Sequence, residues 1–259
     1  MDNERPSAMN LLVEVHAGLE RQGPGSTETT LKALGFIDGI ERISKVADLG
    51  CGTGPQTMVL ASRLAATVVG LDMFPAFIDV LTASARARGV ADHVKGVVGL
   101  MDDLPFDRES LDLIWSEGAI DSIGFKRGLA HWHGFLKRGG YVAATCPSWL
   151  TDERPAVIEC FWLDAGSRLD PVERNIEAMQ QCGYAFVASF ALSEACWTDN
   201  YFAPREAALE GLLKKYPGDG AVEAFVAENR REVDLYARYR RHYGYVFYIG
   251  RKSSPNKET

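Results

Sequence analysis

The stretch Val46-Ala47-Asp48-Leu49-Gly50-Cys51-Gly52-Thr53-Gly54-Pro55-Gln56 constrains this chain more than any other. An apolar run that reads as a buried strand leads into glycines at alternate positions, and then into a proline suited to the first turn of a helix. Glycine has no Cβ, so it accepts left-handed backbone and lets another molecule approach the main chain closely. A strand that turns this sharply into a helix N-terminus is a binding loop for a small ligand, and it commits the chain to an α/β architecture.

The spacing narrows the ligand. The dinucleotide fingerprint G-x-G-x-x-G needs its third glycine for close helix–strand packing. Counted from Gly50 that position is Pro55, and counted from Gly52 it is Thr57, so neither register serves. What matches is D-x-G-x-G-x-G, Asp48 to Gly54, in which the acidic residue faces an ammonium group and the glycines leave room for a nucleoside. At these residues the chain resembles the class I S-adenosylmethionine (SAM) dependent methyltransferases.

The neighbouring motifs agree with that resemblance. Thr67–Asp72 reads as a second buried strand ending in a carboxylate placed for two ribose hydroxyls, with Met73 beside it. The competing reading of Asp72 is a helix N-cap ahead of Pro75. Val94–Gly99 reads as a third strand. Many relatives carry an aspartate where this chain has Leu100, so adenine recognition is expected at Asp102, with Met101 as an apolar wall. Leu111–Ser116 reads as a fourth strand that delivers Glu117 and Asp121 to its carboxyl end, where ligands sit in open parallel sheets.

The alternation continues with a helix over 125–135, a strand over 141–146 and a helix from Asp170-Pro171 to about Cys182. A strand over 184–192 follows. The pattern predicts a doubly wound, mostly parallel, seven-stranded Rossmann-like sheet. About 50 residues separate that strand from the last one, Tyr243–Ile249, well beyond ordinary loop lengths. Two helical runs, 204–215 and 219–241, fill the gap and predict a helical cap. The expected division is an N-terminal helical segment over 1–40 closing on the cofactor, a core over 41–192 and 243–252, and a cap over 193–242.

At the N-terminus, a helical run over 11–19 is followed by Arg21-Gln22-Gly23-Pro24-Gly25-Ser26 and a second helical run over 27–37 capped by Ser26. Such a turn presents backbone N–H groups to an anion, so Arg21, Gly23 and Gly25 are expected to contact the cofactor's methionyl carboxylate or to close the site. An ordinary inter-helix turn is the alternative.

Charge and composition remove several partners. A net charge of −7 opposes a nucleic-acid partner, whose backbone is bound by lysine and arginine. No apolar run reaches the roughly 20 residues needed to span a bilayer, and residues 1–10 lack the pattern of a signal peptide, which predicts a cytoplasmic protein with no membrane partner. The five cysteines, at 51, 146, 160, 182 and 196, form no metal-ligand spacing and no paired framework, so no metal is expected. His131-Trp132-His133 places its histidines on diverging sides of a helix and has no further ligands nearby.

Large aromatics cluster around the cap: Trp149, Trp162, Trp197, Tyr201 and Phe202. Each ring alone reads as core, but together they favour a closed, apolar acceptor pocket, with Trp149, Trp197, Asn200 and Tyr201 as its expected lining. The arginines from 230 to 241 alternate with acidic residues and read as a solvated helix face.

Gln22–Ser26, Ala47–Gly54, Leu111–Ile120, Glu153–Ala156 and Tyr243–Phe247 are together similar to a group of bacterial stand-alone methyltransferases. That resemblance implies SAM as cofactor, S-adenosyl-L-homocysteine as product and a small-molecule acceptor. It implies cofactor contacts from Arg21, Gly23, Gly25, Asp48, Gly50, Gly52, Gly54, Gln56, Asp72, Met73, Met101, Asp102 and Glu117. The chain departs from the group's pattern at Asp121, Cys146, Gly166 and Asn200, which implies a different acceptor. Glu117 and Asp121 are the expected groups for orienting or deprotonating an amine or hydroxyl, and Glu117 serves equally well as a partner for the cofactor's ammonium. A monomer or homodimer is expected. A methyltransferase acting on protein or RNA and a catalytically silent SAM-binding module stand as the alternatives.

Overall fold

The computed structural model describes residues 7–253, so the first six residues of the expected N-terminal segment lie outside it. The described residues open with α1 (Ala8–Ala17), capped by the Ser7 hydroxyl, and α2 (Thr27–Leu34), where Ser26 and Thr29 form a reciprocal capping box. Then come β1 (Lys45–Leu49), α3 (Pro55–Arg63), β2 (Thr67–Asp72), α4 (Pro75–Ala87), β3 (Val94–Val98) and β4 (Leu111–Ser116). Both α3 and α4 carry proline in the first turn, where its missing N–H costs nothing.

A 3-10 turn, Ile120–Ile123, leads from β4 to α5 (Phe125–Trp132), β5 (Leu136–Trp149) and α6 (Ala156–Asp164). A two-residue β6 (Asp170–Pro171) runs directly into α7 (Val172–Gln181), β7 (Tyr184–Ala191) and the inserted helices. The sheet order is β3-β2-β1-β4-β5-β8-β7, with β6 paired to β5. The last strand, β8 (Tyr243–Lys252), is antiparallel to both its neighbours. The sheet is therefore doubly wound and mostly parallel, and its strand order reverses between β1 and β4, the place where such sheets bind ligands. The count is eight strands because Asp170-Pro171, expected to open a helix, pairs with Ser148 and Trp149 first.

Alternate residues of the central strands divide between two cores, as the two-residue period of a strand requires. Ala47, Leu49 and Ile114 pack with α5 and α7 through Leu129, Trp132 and Met179. Val46, Leu113 and Trp115 pack with α2 and α3 through Leu34 and Leu60. β5 is longer than the expected 141–146 because Leu136 already pairs with Leu111, and the register then shifts to Leu113 against Tyr141. Lys137-Arg-Gly-Gly140 is thus the excursion of a bulge inside the strand rather than a loop before it.

Between β7 and β8 lies the helical insertion. α8 (Glu194–Trp197), a π-helical turn (Thr198–Phe202) and α9 (Ala203–Lys215) form one continuous run, and α10 (Gly220–Tyr239) returns beside it. Leu11, Val15 and Leu19 pack against Leu209, Leu212, Val222 and Val226, so α1 shares a core with α9 and α10. Among the described residues no helix is long and apolar enough to cross a membrane.

Candidate functional site

The turn after β1 is built on three left-handed glycines, Gly50, Gly52 and Gly54, with φ of 69°, 55° and 88°. A Cβ at Gly50 would lie 2.3 Å from the Cβ of Ala119, one at Gly52 2.1 Å from Gln22 Oε1, and one at Gly54 2.1 Å from Leu81 Cδ1. The three positions therefore do different work. Gly50 lets the loop after β4 come close, Gly52 admits the N-terminal segment, and Gly54 packs α3 against α4. The turn is held to β2 by Gly50 N–H and Cys51 N–H, which donate to Leu71 O at 2.8 and 3.1 Å.

Asp72 completes this clasp. Its Oδ2 accepts from Gly52 N–H at 2.9 Å and its Oδ1 from Phe74 N–H at 3.0 Å. Burial pushes its carboxyl up, against those backbone bonds. Asp48 is wholly buried beneath the turn, accepting from Thr57 Oγ1 and, at 3.4 Å, from Gln56 Nε2. Burial, opposed by the Thr57 bond, pushes it up to about 7.

Above the turn is a cavity of about 400 Å³ at the carboxyl ends of β1, β2 and β4. Of the expected cofactor residues, Gly50, Gly52, Gln56, Asp72, Met73 and Met101 line it, as do Asp102, Glu117, Arg21 and Gly23. Asp48, Gly54 and Gly25 do not; they lie behind its walls. Met73 and Leu100 are 53% and 50% exposed although apolar, and both face the cavity. Leu100 escaped the sequence reading, because it stood out only as a missing aspartate. Asp102 is held at the rim by Arg127 Nη2 at 2.9 Å.

Glu117 sits at the centre of a tie between the core and the N-terminal segment. Its Oε1 accepts from Thr30 Oγ1 at 2.7 Å and Trp115 Nε1 at 2.8 Å, and its Oε2 from Arg21 Nη1 at 2.9 Å. The pair with Arg21 is almost fully buried, with side-chain exposures of 4% and 8%. A carboxylate with three donors on it is an anchor first. Gln22, named in the sequence only as part of the Gly-Pro-Gly turn and given no role, is the second tie. Its Oε1 accepts from Thr53 N–H at 2.9 Å, and its Nε2 donates to Thr53 Oγ1 and to the carbonyls of His16 and Leu19. Its position beside a Gly-Pro-Gly turn was the available signal.

Asp121 lies on the 3-10 turn after β4 and lines a different, second cavity. Its Oδ2 accepts from Ser167 Oγ at 2.6 Å, while its Oδ1 is buried with no partner. Burial raises its carboxyl, against the Ser167 bond. Cys146 and Gly166, two of the other positions at which the chain departs from similar enzymes, line this second cavity as well.

The expected acceptor residues are elsewhere. Trp149, Trp197 and Tyr201 are buried together with Trp162, Tyr236, Tyr243 and Tyr245, and they line neither cavity. Trp197 stacks on Tyr236 at 4.4 Å, and buried Arg205 covers Tyr201 at 4.5 Å while bonding its hydroxyl. Asn200, in the π-helical turn, donates to Gly25 O at 2.8 Å, which fixes the Gly-Pro-Gly turn to the cap. His131 and His133 pack on Phe135 and Tyr184 and face neither cavity. Among the described residues no three His, Cys, Asp or Glu side chains gather to hold a metal.

The fold and this cleft define a class: an α/β sheet with a cavity over a glycine turn at its switch point, the place where open sheets of this kind take ligands. Residues 46–140, which include that turn, match the model of the methyltransferase domain. Residues 46–140 of the chain therefore read as a methyltransferase domain. It is 32% identical over 113 residues to geranyl diphosphate 2-C-methyltransferase of Saccharopolyspora erythraea, a match covering 43% of this chain and 40% of that protein. The matched stretch thus spans well under two thirds of that relative's length. Its backbone superposes on a SAM-dependent methyltransferase of Geobacter sulfurreducens in complex with S-adenosyl-L-homocysteine, with a TM-score of 0.80 at 20% identity over 93% of this chain and 96% of the other. The [4+2]-cyclase SpnF shares the fold too, with a TM-score of 0.73 at 19% identity over 95% of this chain and 93% of the other.

Proposed function

We propose that this chain transfers a methyl group from SAM to a nitrogen or oxygen of a small-molecule acceptor and releases S-adenosyl-L-homocysteine. The observation that carries the reading is the cavity floored by Gly50 and Gly52 and walled by Asp72, Met73 and Leu100. Each Asp72 oxygen takes one backbone N–H and keeps a further lone pair, which suits a pair of ribose hydroxyls. Met73 and Leu100 offer the apolar faces that a flat heterocycle covers. Arg21 and Gly23 border the same cavity from the N-terminal segment.

When bound, SAM supplies a methyl group made electrophilic by its sulfonium and leaves as a thioether. The protein's share is alignment and exclusion of water, worth most when both partners are held in line. An amine or hydroxyl acceptor also sheds a proton. Asp121 is the group for it, because its Oδ1 has no partner and burial makes the carboxyl more basic than in water. Glu117 positions the N-terminal segment, since its oxygens already serve three donors.

The small-molecule reading is supported by the Saccharopolyspora relative, which is named for a small acceptor, and by the net charge of −7, which disfavours RNA. SpnF shows that the fold hosts other chemistry, so the test must read methyl transfer itself. Protein, SAM and a cell extract split into dialysable and macromolecular fractions are incubated, and S-adenosyl-L-homocysteine is followed. Release is expected with the dialysable fraction. Release only with macromolecules, or SAM binding with no release from either fraction, overturns the reading.

A further inference from the structure

The second cavity, of about 650 Å³, lies between the start of α5 and the start of α7. Ser122 and Ile123 line both it and the cofactor cavity, so the two meet at the 3-10 turn that carries Asp121. The cavities differ in chemistry. The first has mainly apolar walls. The second is mostly polar and brings Lys126, Arg127, Arg168 and Arg174 together with Asp121, Asp170 and Glu177, four cations against three carboxylates.

The cations are not equivalent. Arg127 is closed on Asp102 and Lys126 on Gln181 Oε1 at 2.7 Å. Arg168 and Arg174 form no ion pair with any carboxylate among the described residues, although Asp170 and Glu177 line the same space. A guanidinium is a rigid, always-charged fork that matches a carboxylate or phosphate with two parallel hydrogen bonds. Both arginines are exposed, so their guanidiniums are open to a ligand that enters from solvent. Asp121 lines the same cavity, and its buried Oδ1 has no donor, which for a buried acceptor costs about 1–3 kcal/mol.

We infer that this polar cavity receives the acceptor, and that the acceptor is a small molecule bearing a carboxylate or phosphate bound by Arg168 and Arg174, with its nucleophilic N–H or O–H directed to Asp121. The inference rests on the methyltransferase reading and deepens it. The anion fixes one end of the molecule, and the other end reaches the junction at Ser122 and Ile123, where the cofactor cavity begins. On transfer, the nucleophile's lone pair forms the new bond to the methyl carbon, the carbon–sulfur pair stays on sulfur, and the acceptor's proton passes to Asp121.

The test uses the full-length protein saturated with S-adenosyl-L-homocysteine and titrated with three probes: succinate, inorganic phosphate and uncharged succinamide. Arginine side-chain Nε–H resonances are followed by NMR and assigned through Arg168→Lys and Arg174→Lys. Saturable shifts confined to Arg168 and Arg174 are expected with at least one anion and not with succinamide. The Arg168→Ala/Arg174→Ala double variant should bind that anion at least about tenfold more weakly, while its affinity for S-adenosyl-L-homocysteine stays within about two-fold. Tighter binding of phosphate points to a phosphorylated acceptor, and tighter binding of succinate to a carboxylic acid. Shifts shared by all exposed arginines, equal shifts with succinamide, no saturation, or unchanged anion binding by the double variant overturns the inference. Failure of S-adenosyl-L-homocysteine to bind at all would instead defeat the methyltransferase reading, so the two failures are distinguishable.

Discussion

At the scale of single residues, the three glycines look alike in sequence and differ in the structure. Gly54→Ala drives a Cβ into Leu81 from a left-handed backbone, which costs roughly 1–3 kcal/mol of folding stability and lowers Tm, while Gly54 itself stands outside the lining of the cofactor cavity. Gly50→Ala, whose Cβ meets Ala119 at the cavity wall, should lower SAM affinity measurably more for a similar loss of Tm. Calorimetry and thermal melts on the two variants check the contrast. The glycine turn was legible because only glycine gives that backbone; which neighbour each glycine admits depends on Gln22, Leu81 and Ala119, residues far apart in the chain.

Asp48 gives a pH prediction. Its carboxyl is raised from 3.8 to about 7 in the folded protein, so its contribution is fully present below pH 3.8 and is lost as pH rises through about 7. The difference spans about 3 pH units, or at most about 4 kcal/mol. Asp48→Asn should flatten this fall, gaining stability on wild type between pH 5 and 8 in urea melts. A variant whose stability tracks wild type across that range would show Asp48 to be charged throughout. An acidic residue late in a buried strand was visible in sequence, but its burial away from the cavity was not, because sequence does not say that Thr57 and Gln56 will cover it.

At the scale of elements, the N-terminal segment is held to the core by side chains rather than by a sheet. Gln22→Ala removes the bonds to Thr53, and at about 1 kcal/mol for each lost hydrogen bond it should raise the Kd for S-adenosyl-L-homocysteine several-fold. Glu117→Gln leaves the buried Arg21 guanidinium without its anion, which costs about 3–5 kcal/mol, so Tm and SAM affinity should fall together. Turnover lost with Tm and affinity unchanged would make Glu117 the base instead. The seven longer strands, their succession along the chain and the helical insertion were legible from periodicity and connection length, whereas the order of the strands in the sheet was not stated by either. The bulge in β5 was not, because Lys137-Arg-Gly-Gly140 has the composition of a loop and only its pairing to β4 reveals it. Trp149, Trp197 and Tyr201 were expected to line a pocket, yet they pack on one another; large rings bury so much area that mutual packing and lining look the same in sequence.

At the scale of the whole molecule, the two parts expected as separate, the N-terminal segment and the cap, share one core through α1, α9 and α10. An amphipathic helix announces a buried face without naming its partner, so this joint cover was beyond sequence. It predicts that cofactor binding slows amide exchange in α1 and α10 together, although α10 lines no part of the cofactor cavity. The central claim is that the left-handed glycine turn receives a nucleoside sulfonium. Its most direct test is titration calorimetry of the wild-type chain and Gly52→Val against SAM and NADH. Saturable binding of SAM by the wild type, its loss in Gly52→Val with the fold retained by circular dichroism, and no binding of NADH are the results expected. Binding of NADH without SAM, or undiminished SAM binding by the folded variant, would contradict the account.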